Sequence, residues 1–174
     1  MNKRIDTLIT ELRSKDGVQR KRARNVLVNI GIPAVPFLID LLTDPSEQVR
    51  WEACKTLGSI VDFSAAVPLS EVLGDESMEI RWLAAKALIA LKSAAVIPVL
   101  QALAKHFKSP HLRQGAHHVL NNLAKQNLLN QDTVAVIDTL DITEPNSSVA
   151  WAVRNALISM GKTGRRIKID NIKI

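Results

Sequence analysis

The stretch "VRWEACKTL" at residues 49–57 returns as "IRWLAAKAL" at 80–88, and less closely as "QRKRARNVL" (19–27), "LRQGAHHVL" (112–120) and "VAWAVRNAL" (149–157). The five align without gaps. Their second positions fall at 20, 50, 81, 113 and 150, at intervals of 30, 31, 32 and 37 residues. Alanine holds the fifth place in four of them (Ala23, Ala53, Ala84, Ala116), Val153 in the last, and leucine closes each one. Such a period marks a stack of supersecondary units, none of which can bury its apolar face alone.

A second family of segments precedes the first: "AVPFLIDLLTD" (34–44), "AAVPLSEVLGD" (65–75) and "AAVIPVLQALA" (94–104). "IDTLITEL" (5–12) and "DTVAVIDTL" (132–140) are its divergent first and last members. Both families read as helices, and the arginine-bearing segment is the second helix of each pair. There Val49, Ala53, Leu57 and Ile60 form one apolar stripe at helical spacing. Starts are marked by Asp44-Pro45, Ser109-Pro110 and Glu144-Pro145. Asp and Ser cap well, and proline at the first helical position gives up an N–H that would be unpaired anyway. Glu47, three after Asp44, completes a capping-box pattern. The chain therefore reads as all-α, an α-solenoid of about five helix pairs over residues 1–161, with 3–14 as the opening cap and 162–174 as a basic tail. In that tail Ile167, Ile169, Ile172 and Ile174 alternate with polar residues, a pattern suited to a short hairpin, a donated strand or a frayed end.

These residues resemble the HEAT-like repeat, most closely the short variety named after phycobilisome lyases. Its pattern is an Asp, then Val-Arg some five residues on, then small residues, then Ala-Leu. "DPSEQVRWEACKTLG" and "DESMEIRWLAAKAL" carry it, and the resemblance covers about residues 3–161. It implies that the second helices line a concave face. It also implies an Asp–Arg ladder between neighbouring repeats, a role falling to Asp44, Arg50, Asp75 and Arg81 and broken at Ser109 and Ala150.

On a helical wheel at about 100° per residue, Trp51 lies roughly opposite the core stripe, beside Lys55, with Glu52 and Ser59 further round. Repeating this gives one ridge residue per repeat: Lys21, Trp51, Trp82, Gln114 and Trp151. Its flank is Asn25, Lys55, Lys86, His118 and Asn155. Tryptophan with cations makes a recognition strip, since aromatic anchors dominate interface hot spots. Equally, an indole can close the seam between repeats and leave only its N–H edge wet.

Composition narrows the classes. With 47% hydrophobic and 23% charged residues the chain is a folded protein, and it has no apolar run of membrane-spanning length. No signal-peptide pattern opens it, and the single Cys54 suits a reducing compartment, so the expected location is cytoplasmic. Net charge is +6, unevenly spread: residues 1–31 carry eight basic and three acidic groups, and residues 32–92 five and nine. The densest basic cluster is "QRKRAR" (19–24), where Arg20, Lys21, Arg22 and Arg24 form a candidate phosphate-contacting patch or a solvated terminal face.

His111, His117 and His118 lack metal-ligand spacing, and no carboxylate lies between residues 80 and 131 to complete a site. "MGKTG" (160–164) lacks the earlier glycine of a P-loop. Neither a metal nor a cofactor is expected. DNA glycosylases built of HEAT-like repeats and the phycobilin lyases are catalytic members by resemblance, yet the only acid beside the tryptophan strip is Glu52. The expected function is that of a non-catalytic scaffold or adaptor. Its partner-binding residues are Lys21, Trp51, Lys55, Trp82, Lys86, Gln114, His118, Trp151 and Asn155. Its partner is a protein with an acidic segment. The alternative is nucleic-acid binding through Arg20, Arg22 and Arg24, followed by a lyase or glycosylase.

Overall fold

The computed structural model describes residues 2–140 and 147–162, and they form ten α-helices in five successive hairpins. In chain order these are α1 (Asn2–Glu11), α2 (Gly17–Ile30), α3 (Val35–Asp40), α4 (Glu47–Ile60) and α5 (Ala66–Val72). After them come α6 (Met78–Ala90), α7 (Val96–His106), α8 (Pro110–Lys125), α9 (Gln131–Leu140) and α10 (Ser147–Lys162). The tail from residue 163 and the Glu144-Pro145 start lie outside the described residues. The architecture is the all-helical solenoid that the repeat pattern predicts.

The apolar stripe explains the stacking. Its first, fifth and ninth positions are buried in α4 (Val49, Ala53, Leu57), α6 (Ile80, Ala84, Leu88), α8 (Leu112, Ala116, Leu120) and α10 (Val149, Val153, Leu157). Small residues at the seams let neighbouring backbones approach. A Cβ on Gly58 of α4 would stand 3.2 Å from that of Ala87 on α6, and one on Gly115 of α8 would stand 3.1 Å from Leu73. Burying these aliphatic side chains contributes about 1.5–3 kcal/mol each for the larger ones, which is the main force holding the stack.

The helix starts differ from the capping pattern at one site and agree at another. Pro110 opens α8, and the Ser109 hydroxyl accepts from the Leu112 N–H. At α4, however, Ser46 occupies the cap position, and Glu47 is simply the first helical residue. The Asp44 carboxylate instead accepts from the Ser46 N–H at 2.9 Å, and Asp75 does the same with Ser77. A carboxylate that can bond its own backbone two residues on makes a turn before the helix rather than a cap on it.

The recurring arginine of the repeat also has a local task. Each such arginine donates to a loop carbonyl six residues earlier: Arg20 to Ser14 (2.9 Å), Arg50 to Asp44 (2.9 Å), Arg81 to Asp75 (2.8 Å) and Arg113 to Phe107 (3.4 Å). This register shows that Phe107, not Ser109, holds the place of the ladder aspartate in that repeat. Among these four and the described residues, Arg50 alone reaches forward to the next aspartate, gripping Asp75 with Nε and Nη2 at 2.7 and 3.1 Å. Asp44 is met by Arg13 rather than by Arg20.

The last hairpin is seated the other way round. In the earlier repeats second helices pack on second helices, α2 on α4, α4 on α6 and α6 on α8. At the end, α9 packs on α8, while α10 packs on α7 and α9. The helix aligned with the second-helix family thus lies against a first helix.

Candidate binding face of the second helices

The exposed side of α4, α6 and α8 carries most of the strip expected from the wheel, in three distinct settings. Trp51 is half-buried against the core. Above its ring sit two cations, the Arg24 guanidinium at 5.6 Å and the Lys55 ammonium at 5.8 Å from the centroid. Arg24 is fixed there because its Nη1 bonds the Glu52 carboxylate, which also accepts from Arg20 Nε at 3.1 Å and from Gln48 at 3.2 Å. Glu52, expected as the only acid beside the strip, is just 3% exposed and belongs to the α2–α4 seam, while Glu79 lines the cavity between Trp51 and Trp82. Lys21 is exposed at the margin of an open groove of about 710 Å³ that Trp51 and Glu79 also line.

Trp82 is different. It is 54% exposed, no cation among the described residues sits over its ring, and it meets His118 of α8 with ring centroids 4.9 Å apart and planes tilted by 38°. Met78 is 73% exposed one turn earlier on α6. Met78, Arg81, Trp82, Gln114 and His118 line a pocket of about 200 Å³ between α6 and α8. A second shallow cavity, with Met78 and Glu79 on its wall, joins Trp82 to Trp51. Lys86 is exposed one turn beyond Trp82. Met78 was not among the residues singled out by sequence, yet its spacing of four from Trp82 places both on one helical face.

Trp151 does not join this row. It is 68% exposed, but it stands on α10 with the half-buried Asn155, and α10 packs on α7 and α9 instead of α8. The basic cluster is also divided. Arg20 and Arg24 turn to Glu52, with side chains only 18% and 16% exposed, whereas Lys21 and Arg22 point to solvent. The phosphate-contacting patch expected of Arg20, Arg22 and Arg24 is therefore not assembled.

A model of the family of HEAT repeats matches residues 5–77 and again residues 66–158. The chain belongs to the HEAT-repeat family. The solved structure of the complex of CpcE and CpcF of phycocyanin lyase from Nostoc sp. PCC7120 has a chain similar to these HEAT repeats. It is 22% identical, with a TM-score of 0.59, over 90% of this chain and 99% of that one. A crystal structure of an engineered protein is 22% identical over 88% of this chain and 77% of its own, with a TM-score of 0.47. No curated protein sequence matches.

Among the described residues, no group of three or more His, Cys, Asp and Glu is arranged to hold a metal ion. No single helix there is long and apolar enough to cross a membrane. Cys54 is buried, and burial first, with the nearby Asp75 charge second, pushes its thiol up to about 12. The thiolate needed for nucleophilic attack is thus disfavoured.

Proposed function

We propose that this HEAT-repeat protein is a non-catalytic scaffold that holds a segment of a partner protein along the second-helix face, centred on α6 and α8. The observation that supports this reading is the Trp82 site. An indole that is 54% exposed, braced by His118 and adjoined by the 73% exposed Met78, is an anchor set out for a partner. Large aromatic side chains of that kind contribute most to protein interfaces when a partner covers them. Gln114, Lys55 and Lys86 supply a polar and cationic rim, and Lys21 extends it towards the first hairpin.

Absence of catalysis is part of the proposal. Glu52, the acid that follows Trp51, is committed to two arginines, Glu79 on the strip has no second acid beside it in the cavity it lines, and burial disfavours the Cys54 thiolate. The nucleic-acid alternative loses force because Arg20 and Arg24 serve that same internal pairing. The Nostoc neighbour is a complex of two protein chains, a precedent at the level of fold alone.

Affinity capture from a cell extract with the wild-type chain and with Met78→Ala/Trp82→Ala tests the reading. A partner lost from the double variant, at unchanged thermal melting, is the expected result. Identical partners on both baits would refute it.

A further inference from the structure

An arginine fork has two hydrogen-bonding edges, and a carboxylate fits one of them bidentately. In α4, Arg50 uses both. Its Nη1 holds the loop carbonyl of Asp44, and its Nε and Nη2 hold the Asp75 carboxylate at 2.7 and 3.1 Å. In α2, Arg20 likewise divides itself between the Ser14 carbonyl and Glu52.

Arg81 in α6 completes only half of this pattern. Its Nη1 bonds the carbonyls of Asp75 and Glu76 at 2.8 and 2.9 Å, as the motif requires. Among the described residues no carboxylate forms an ion pair with it, because Phe107 stands where the preceding repeat has Asp75. The whole stretch from residue 80 to 131 contains no Asp or Glu. No buried side-chain nitrogen or oxygen among the described residues lacks a hydrogen-bond partner, so the unused edge of Arg81 is open to water. Arg81 lines the same pocket as Met78, Trp82, Gln114 and His118.

We propose that this pocket receives an Asp or Glu side chain from the partner protein. The carboxylate seats on the free edge of Arg81 as Asp75 seats on Arg50, and an adjacent apolar side chain of the same segment lies against Trp82 and Met78. The partner thereby completes from outside a rung that the chain supplies to itself one repeat earlier. Charge selects the occupant: Arg81 is the cation on the wall of this pocket and no carboxylate lines it, Glu79 standing on the neighbouring cavity instead, so a single carboxylate matches a single open fork in a mostly apolar pocket. The inference rests on the docking reading above and names the chemistry of what docks.

A random peptide library displayed on phage, selected against the full chain, supplies the probe. The best peptide and its Asp→Asn (or Glu→Gln) counterpart are then titrated by fluorescence anisotropy against wild type, Arg81→Gln, Arg81→Lys and Trp82→Ala. We expect selected peptides to carry an acid beside an apolar residue. Amidation of the acid should weaken wild-type binding by about tenfold and leave Arg81→Gln binding unchanged. Arg81→Lys should recover part of the preference, since it restores charge without the fork. The amide peptide leaves the protein unaltered, so the test stands even where Arg81→Gln loosens the loop.

Peptides that need Trp82 but show no acid preference would overturn the carboxylate assignment and leave the docking face intact. A library that yields no binder, or binders indifferent to Trp82→Ala, would remove the docking reading and this inference with it. Oligothymidylate binding in place of the peptides would overturn the assignment to a protein segment.

Discussion

Trp51 and Trp82 occupy one slot in consecutive repeats, yet one is closed and the other open. The difference traces to two neighbouring positions. The slot after the tryptophan is Glu52 in α4 and Leu83 in α6. The residue that reaches over from the preceding helix is Arg24 for Trp51, and its counterpart in α4 is the buried Cys54. An acid that pulls an arginine across the seam therefore caps the first indole, and an apolar pair leaves the second uncovered. Repeats of one pattern become different surfaces through what flanks the pattern.

The strongest way to break this comparison is to remove the acid. Glu52→Ala leaves the Arg20 and Arg24 guanidinium groups without their shared partner at a seam where water is scarce. A loss of about 3 kcal/mol is expected in urea unfolding. Arg24 should then leave the Trp51 ring, bringing the two sites closer in exposure. A loss below about 0.5 kcal/mol would mean that the cluster is solvated and that the contrast has another origin.

Next in size is the direct exchange of anchors. Trp51→Ala should cost about 2 kcal/mol because the ring packs on the core, whereas Trp82→Ala should cost less than about 1 kcal/mol because half of its surface is already wet. Partner binding should show the reverse order. Equal losses of stability in thermal melts would erase the distinction between a seam residue and an anchor.

Acid distinguishes the two halves more gently. Burial alone would raise the pKa of Asp44, but the Ser46 N–H and the Arg13 guanidinium outweigh it and hold the carboxyl below its usual value. A group whose pKa is lowered by folding stabilises fully above its unfolded value. That contribution is lost as pH falls through the folded one. Below about pH 4 the wild type should therefore lose stability more steeply than Asp44→Asn. The equivalent position in the later repeat is Phe107, which cannot titrate, so amide exchange at low pH should rise first around α3 and α4. Parallel acid-unfolding curves for the two proteins would defeat this.

The period, the buried alanine and leucine stripe and the solenoid were legible because they depend on spacing along one helix. The wheel placed Trp51, Trp82, Gln114 and His118 for the same reason. It gives an angle, however, and not the neighbour that lies at that angle. Glu52 therefore read as an acid beside the strip, although α2 covers it with two arginines. Trp151 read as a third strip residue, although α10 is seated on α7 and α9. The lengthening of the last repeat interval to 37 residues was the one visible sign of that change. Asp44 read as a cap, because sequence spacing cannot separate a side chain bonding its own turn from one bonding the helix beyond.

The smallest effect tests whether the closed site owes its character to helix stability at all. Just past the ends of α2, α4, α6 and α8 stand residues of positive φ, Gly31, Val61, Lys92 and Asn127, at 72°, 57°, 54° and 57°, and Val61 is left-handed helical in both angles. Only the first is a glycine. A β-branched side chain is costly in that region, and Val61 is 45% exposed, so it gains little from packing. Val61→Gly relieves that strain while adding flexibility to the unfolded chain, and a net gain of about 0.5–1 kcal/mol is expected. Because Val61 lies at the far end of α4 from Trp51, a raised melting temperature with unchanged Trp51 burial would show that the seam cluster, and not the helix beneath it, closes the site. A variant that melts lower would place more of the α4 end in packing than its exposure suggests.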